Sequence, residues 1–370
     1  MGAYDSQILF LGVILSFLFG LGFAALFKYS NQRDAHRDKR RSAHLRPTSR
    51  LGGVAVCLAI VILIFSYNET VHFEFAISAL PVFFVGLAED LGRPQKPKFR
   101  LAIGALSAAL FIAFEERVIS SVGFEWGNII LSFTPLAVLF TIFCVVALIN
   151  AFNFIDGING LASGKTMIAA FALMWLSNTH NEPNLTLMGT AIFASSLGLF
   201  MLNYPRGRIF LGDAGAYTLG FLLAVSLITL HSKHIEISAW SILLVIFWPI
   251  ADMGHSIFRR SLSGRRSDRP DKLHFHHVIM RSVVILSRGR IPKEWANPIA
   301  TAVILPMTGL PVALGVAYNQ NNELCMALFF GFVLLFTCAH YCMIKVTRRR
   351  IWVVRSMKKL SFTETNKLTP

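Results

Sequence analysis

What most constrains this chain is the recurrence of uncharged apolar stretches long enough to cross a bilayer. Ile8–Phe27, Leu51–Tyr67 and Leu324–Ile344 run 17–21 residues with almost no charge. A helix needs about 20 residues to span about 30 Å of hydrocarbon. Backbone polar groups in lipid must be bonded within the segment, so these stretches are expected to be helices. The period-2 alternation of a membrane barrel is missing. Only 15% of the residues are charged, against roughly 25% in soluble domains. The expectation is an all-α integral membrane protein with about eleven transmembrane helices. They fall near 8–27, 51–67, 71–88, 101–114, 134–150, 165–178, 187–202, 215–231, 237–254, 298–317 and 324–344. The semi-polar stretch 115–133 has room for a short re-entrant piece.

The basic residues orient these spans. Of the 35 Lys and Arg, 33 fall in alternate connections and in the tail after 344, while Arg117 and Lys233 alone mark the other side. Such a bias identifies the rich side as cytoplasmic, which puts the N-terminus outside and the C-terminus inside. Residues 1–345 then form one polytopic domain with cytoplasmic loops at 28–50, 89–100, 150–165, 203–215 and 252–297. Residues 346–370 form a basic tail that serves as an orientation signal against anionic lipid. The net charge of +15 belongs to this pattern, so no nucleic-acid partner is expected. No basic residue precedes Ile8–Phe27 and no small-residue cleavage site follows it, so it is expected to be a retained span. The five cysteines all lie in apolar spans, where packing accounts for them.

Acids at the ends of membrane spans are expensive and need pairing or a function. Glu89, Asp90, Asp156, Asp213 and Asp252 are such acids, and the orientation drawn from Lys and Arg alone puts all five at cytoplasmic ends. Acids gathered beside basic loops suit a divalent cation handling phosphates. In Asn150–Gly160, Asn150, Asn153 and Asp156 recur every third residue as the chain leaves a span, and Gly157 and Gly160 follow. Asn carries both an acceptor and a donor, so this segment can ligate a metal or read a base or sugar. Gly212-Asp213-Ala214-Gly215 opens another span just after Arg206 and Arg208. A helix start, a carboxylate and two Arg suit a metal–diphosphate corner. His274, His276 and His277 lie in a strongly basic loop. That setting favours imidazoles donating to phosphate oxygens over a zinc site. Gly160-Leu-Ala-Ser-Gly164-Lys165-Thr166 is not a P-loop, which needs four residues between its glycines and a preceding strand.

These residues resemble the polyprenyl-phosphate N-acetylhexosamine-1-phosphate transferases, glycosyltransferase family 4. The family includes bacterial undecaprenyl-phosphate GlcNAc-1-phosphate transferases. His44–Gly53, Glu89-Asp90, Asn150–Gly160, Phe210–Gly215, Pro249–Asp252 and Asp271–His277 each resemble a family signature, in the family's order. Glu89 stands where the family's pair begins with Asp. Asn159 stands where the bacterial signature has a second Asp, as it also does in eukaryotic relatives.

The resemblance implies a transfer of HexNAc-1-phosphate from a UDP-sugar to polyprenyl (undecaprenyl) phosphate, with release of UMP. The product initiates a cell-surface polysaccharide such as O-antigen lipopolysaccharide or cell wall. Glu89, Asp90 and Asp213 would be catalytic, with Asp213 and Asn153 holding Mg2+ (or Mn2+ as a substitute). Asp90 would lie beside the lipid phosphate. Asn150, Asp156, Asn159, His44, Arg206, Arg208, His274, His276 and His277 would bind substrate. The implied partners are UDP-HexNAc, undecaprenyl phosphate, the bilayer and a second copy in a homodimer. The implied place is the bacterial inner membrane, with the active site on its cytoplasmic face. The competing reading is a secondary transporter of an anionic solute. It would place polar groups near the bilayer midplane and show an internal repeat.

Overall fold

The structure is a computed structural model that describes residues 3–30, 48–67, 73–262, 273–288 and 290–365. His44, Asp271 and the loops 31–47 and 263–272 lie outside the described residues. Described residues are helical or irregular, apart from a single bridge between Ser49 and Ile209. The helices are α1 (Ala3–Ser30), α2 (Gly52–Tyr67), α3 (Phe73–Asp90), α4 (Pro97–Glu115), α5 (Glu125–Leu131), α6 (Thr134–Ile155) and α7 (Leu161–Thr179). They continue as α8 (Pro183–Asn203), α9 (Gly212–Lys233), α10 (Ala239–Val245), α11 (Phe247–Leu262), α12 (Phe275–Leu286), α13 (Lys293–Ala317) and α14 (Asn322–Thr365).

The expected spans are helical, with 237–254 broken between α10 and α11, and fewer than eleven of them meet the length and composition of a crossing. Among the described residues seven helices are long and apolar enough to cross a membrane, or eight if α10 and α11 count as one broken span. The shortfall from eleven lies in α2, α3 and α7. The 16-residue α2 falls short in length, α3 carries three acids, Glu74, Glu89 and Asp90, in its 18 residues, and α7 opens on the polar run Ser163–Thr166. The semi-polar stretch holds α5, seven residues long. α14 runs without a break through residue 345.

The fold is organised around α9, whose spanning window is wholly buried. Its small residues, among them Gly215, Ala216, Gly220 and Ala224, let neighbouring backbones come close, which is how helices associate where lipid removes the hydrophobic drive. A Cβ on Gly86 of α3 would lie 2.6 Å from the Ala214 Cα, and one on Gly53 of α2 would collide with the Gly215 backbone. Both contacts are backbone to backbone, so the start of α2 and the end of α3 meet the first turn of α9 directly. A second apolar cluster, around Phe247, Trp248, Phe275 and Phe336, packs α11 and α12 against α14. Between α10 and α11 the chain bends by 85°. This turns the amphipathic α11, which ends in Arg259 and Arg260, away from the α10 axis.

Candidate active site

The first N–H groups of a helix have no carbonyl ahead of them. In α9 they are filled by carboxylates from two other helices. Gly212 donates to Asp156 Oδ2 at 3.0 Å, Asp213 to Asp90 Oδ1 at 2.9 Å and Ala214 to Asp90 Oδ2 at 2.9 Å. The helix dipole adds to this attraction for negative charge. Asp213 projects from the same turn, with its side chain one-fifth exposed, and is flanked on both sides. Asn153 Nδ2 donates to its Oδ1 at 3.1 Å, and Arg50 Nη1 lies 3.8 Å from its Oδ2. Arg50 is held there because the residues around it are clamped to those before α9. Phe210 N donates to Ser49 O at 2.9 Å, and Gly52 N to Phe210 O at 2.9 Å.

Asp156, Asp90 and Asp213 thus meet around one helix end. At Asp156, which caps α6 outside the span, burial pushes the carboxyl up to about 6; Arg50 opposes that shift and Asp213 adds to it.

Glu89 is placed one layer deeper and is buried. Its Oε2 accepts from Tyr217 Oη at 3.1 Å and faces Arg100 Nη1 at 3.4 Å, while Gln95 N reaches its Oε1 at 3.3 Å. Arg100 also donates to Tyr217 Oη at 3.1 Å. The adjacent acids therefore do different things: Asp90 caps α9, and Glu89 ties α3, α4 and α9 together below Asp213.

The turn after α6 is the hinge between two halves of the site. Asn153 and Asp156 meet α9, while Phe154 stacks on His274 with centroids 5.5 Å apart. His274 and His276 are themselves stacked, and His277 follows at 4.2 Å from His276. Burial and the neighbouring His276 and His274 push the His277 imidazole down to about 3. Asn159 is absorbed into the framework. It is buried, its backbone N–H donates to Asn297 Oδ1 at 2.8 Å, and its Nδ2 donates to Pro205 O at 2.7 Å. Asn150 turns back on its own helix, donating to Val146 O at 2.7 Å. Arg206 and Arg208 are exposed on the loop before α9.

Arg50, Arg100, Tyr217 and Asn297 join the site without having been singled out in the sequence. Tyr217 had a usable signal, since it follows Asp213 by four residues and so shares its helix face.

A sequence model of glycosyl transferase family 4 matches residues 71–231, the stretch that carries Glu89 through α9. Over 326 residues the chain is 28% identical to decaprenyl-phosphate N-acetylglucosaminephosphotransferase of Mycobacterium tuberculosis, covering 75% of this chain and 80% of that one. It is 33% identical over 190 residues to undecaprenyl-phosphate alpha-N-acetylglucosaminyl 1-phosphate transferase of Escherichia coli K12, covering 50% and 52%. A probable undecaprenyl-phosphate N-acetylglucosaminyl 1-phosphate transferase of Bacillus subtilis is 28% identical over 251 residues, covering 65% and 68%. The stretch that brings the ordered motifs to the first turn of α9 is thus the one similar to glycosyl transferase family 4, and the relatives that the chain resembles are polyprenyl-phosphate N-acetylglucosamine-1-phosphate transferases.

Proposed function

We propose that this protein transfers HexNAc-1-phosphate from a UDP-sugar to polyprenyl phosphate. An oxygen of the lipid phosphate attacks the sugar-linked phosphorus, the bond from that phosphorus to the UMP oxygen breaks, and UMP leaves. The observation that carries this reading is the gathering of Asp90, Asp156, Asp213 and Asn153 around the N-terminus of α9. Such transfers are accelerated mainly by positioning and by stabilising charge, and these groups supply both.

Asp213 and Asn153 are the residues that would hold Mg2+. Turning the Asn153 amide over would bring its oxygen beside Asp213 Oδ1. Among the described residues no three His, Cys, Asp or Glu side chains form a complete ligand set. Mg2+ does not need one, because it keeps several waters and takes one or two carboxylates plus substrate phosphates. When bound, it would neutralise charge on the diphosphate.

Asp90 fixes the backbone of Asp213, and the lipid phosphate would bind beside it. Arg206 and Arg208 are the exposed cations beside the UDP-sugar, and the histidines approach its diphosphate from the far side of the turn. The site lies on the cytoplasmic face of a bacterial inner membrane. A transporter is disfavoured, since these groups gather at one helix end instead of at mid-span.

Detergent-purified protein tests this directly. UMP release should require UDP-GlcNAc or a related UDP-HexNAc, undecaprenyl phosphate and Mg2+ together. Release of no UMP from any UDP-HexNAc would refute the reading.

A further inference from the structure

Asp252 of α11 is 2% exposed. Its Oδ1 accepts the Phe275 backbone N–H at 3.0 Å, which anchors the start of α12. Its Oδ2 faces two rings, with His274 Nδ1 at 3.4 Å and His276 Nδ1 at 3.6 Å. These separations sit at or beyond the long edge of a hydrogen bond, and neither ring nitrogen of the buried His276 has a closer partner among the described residues.

Lys165 of α7 is buried against α11 at Trp248, one helical turn before Asp252. It is 2% exposed, its Nζ lies 4.8 Å over the Trp248 ring, and no hydrogen-bond acceptor meets it among the described residues. A buried ammonium needs a counter-charge, and Asp252 is the carboxylate whose field reaches it.

On the other edge of the ring, a Cβ on Gly157 would lie 2.8 Å from His276 Nε2. Only the missing side chain lets the ring tip stand against the turn that carries Asn153 and Asp156.

We propose that Asp252 is a positioning residue for His276, holding it by Nδ1 and leaving Nε2 as the atom presented to the donor diphosphate, with Lys165 as the buried counter-cation of Asp252. This rests on the reading of the site as a UDP-sugar site. A carboxylate on one ring nitrogen fixes the tautomer and stabilises the imidazolium. The other N–H then makes a charge-assisted bond to a phosphate oxygen. Burial holds His276 below the usual imidazole range, His274 and Lys165 push the same way, and Asp252 opposes them. His277 and Arg281 are the remaining titratable or charged groups on this face of α12.

Two measurements test the proposal, and the first needs no substrate. Asp252→Asn and Lys165→Met should each lower the thermal midpoint in detergent, since each leaves one buried charge alone. The double variant should recover most of the loss. A double variant no more stable than the worse single would overturn the charge pair.

The second measurement is kinetic. Removing a carboxylate that orients a histidine costs roughly 10- to 100-fold where the histidine holds a metal. Asp252→Asn, made in the Lys165→Met background if the single fails to fold, should raise KM for UDP-GlcNAc by about as much, with a smaller change in kcat. The alkaline limb of kcat/KM should move to lower pH, and Asp252→Glu should restore part of it. An unmoved alkaline limb and unchanged KM would overturn the positioning role. If the unaltered protein releases no UMP, the functional reading has failed, while the stability cycle still tests the pair.

Discussion

Asp90 is bonded to Asp213 through the backbone: its Oδ1 accepts the Asp213 N–H at 2.9 Å while its Oδ2 takes that of Ala214. The acid at the end of α3 thereby fixes the direction in which the Asp213 side chain leaves α9. Removing either carboxylate should abolish activity, but only one of the two removals should loosen the fold.

Asp213→Asn leaves every α9 cap in place and removes the charge at the reacting centre. UMP release should fall by about 10^2-fold or more, the scale for losing one electrostatic contact to a transition state. The thermal midpoint should stay the same or rise. Substantial turnover with Mg2+ would remove Asp213 from the centre.

Asp90→Asn should also lose activity, and with it about 1 kcal/mol of stability, the scale of a lost N-cap. An amide has one acceptor oxygen where Asp90 uses two. Denaturation alongside the Asp213→Asn variant separates the cap from the charge.

Glu89→Asp keeps the carboxylate but shortens it by one methylene, pulling it back from Tyr217 and Arg100, now 3.1 and 3.4 Å away. The expected result is a modest fall in both stability and rate, milder than at Asp213. A rate loss equal to that of Asp213→Asn would assign Glu89 to the chemistry itself.

Asp156 gives a pH signature. Burial raises its carboxyl to about 6 from an ordinary value of 3.8. Between those values the folded protein holds a proton that the unfolded chain releases. Stability from this group is therefore fully present below about 4 and is lost as pH rises to about 6. Thermal unfolding from pH 4.5 to 7 should show that decline, and Asp156→Asn should flatten it.

Orientation has its own test. In a cysteine-free background, Ser287→Cys should resist an impermeant thiol reagent applied to intact cells, and Ser232→Cys should react. The reverse pattern would invert the protein and move the site outside.

Much of the site was readable because acids are rare at span ends. Asp90, Asp156 and Asp213 stood out on cost alone, and the structure brings them together. Their division of labour was not readable, because spacing along the chain carries no information on which backbone donors a carboxylate will meet. Asn159 shows the same limit. An exposed-looking Asn between two spans reads equally well as a ligand contact or as framework, and the arrival of Pro205 and of Asn297 from α13 decides which bonds it makes. Span number was less legible for a different reason. Apolar runs such as α2 reveal a helix, but a helix packed among others needs neither full bilayer length nor continuous apolarity.

The clasp between Asp90 and α9 also governs the order in which the protein can be built. Its partners are 123 and 124 positions apart in the chain, so when α3 leaves the ribosome its two terminal acids have none of their donors. Glu89 can meet Gln95 and Arg100 soon afterwards, but Asp90 lacks both of its backbone donors until Asp213 and Ala214 have been synthesised. A nascent chain halted before α9 therefore keeps an uncapped carboxylate at the end of α3.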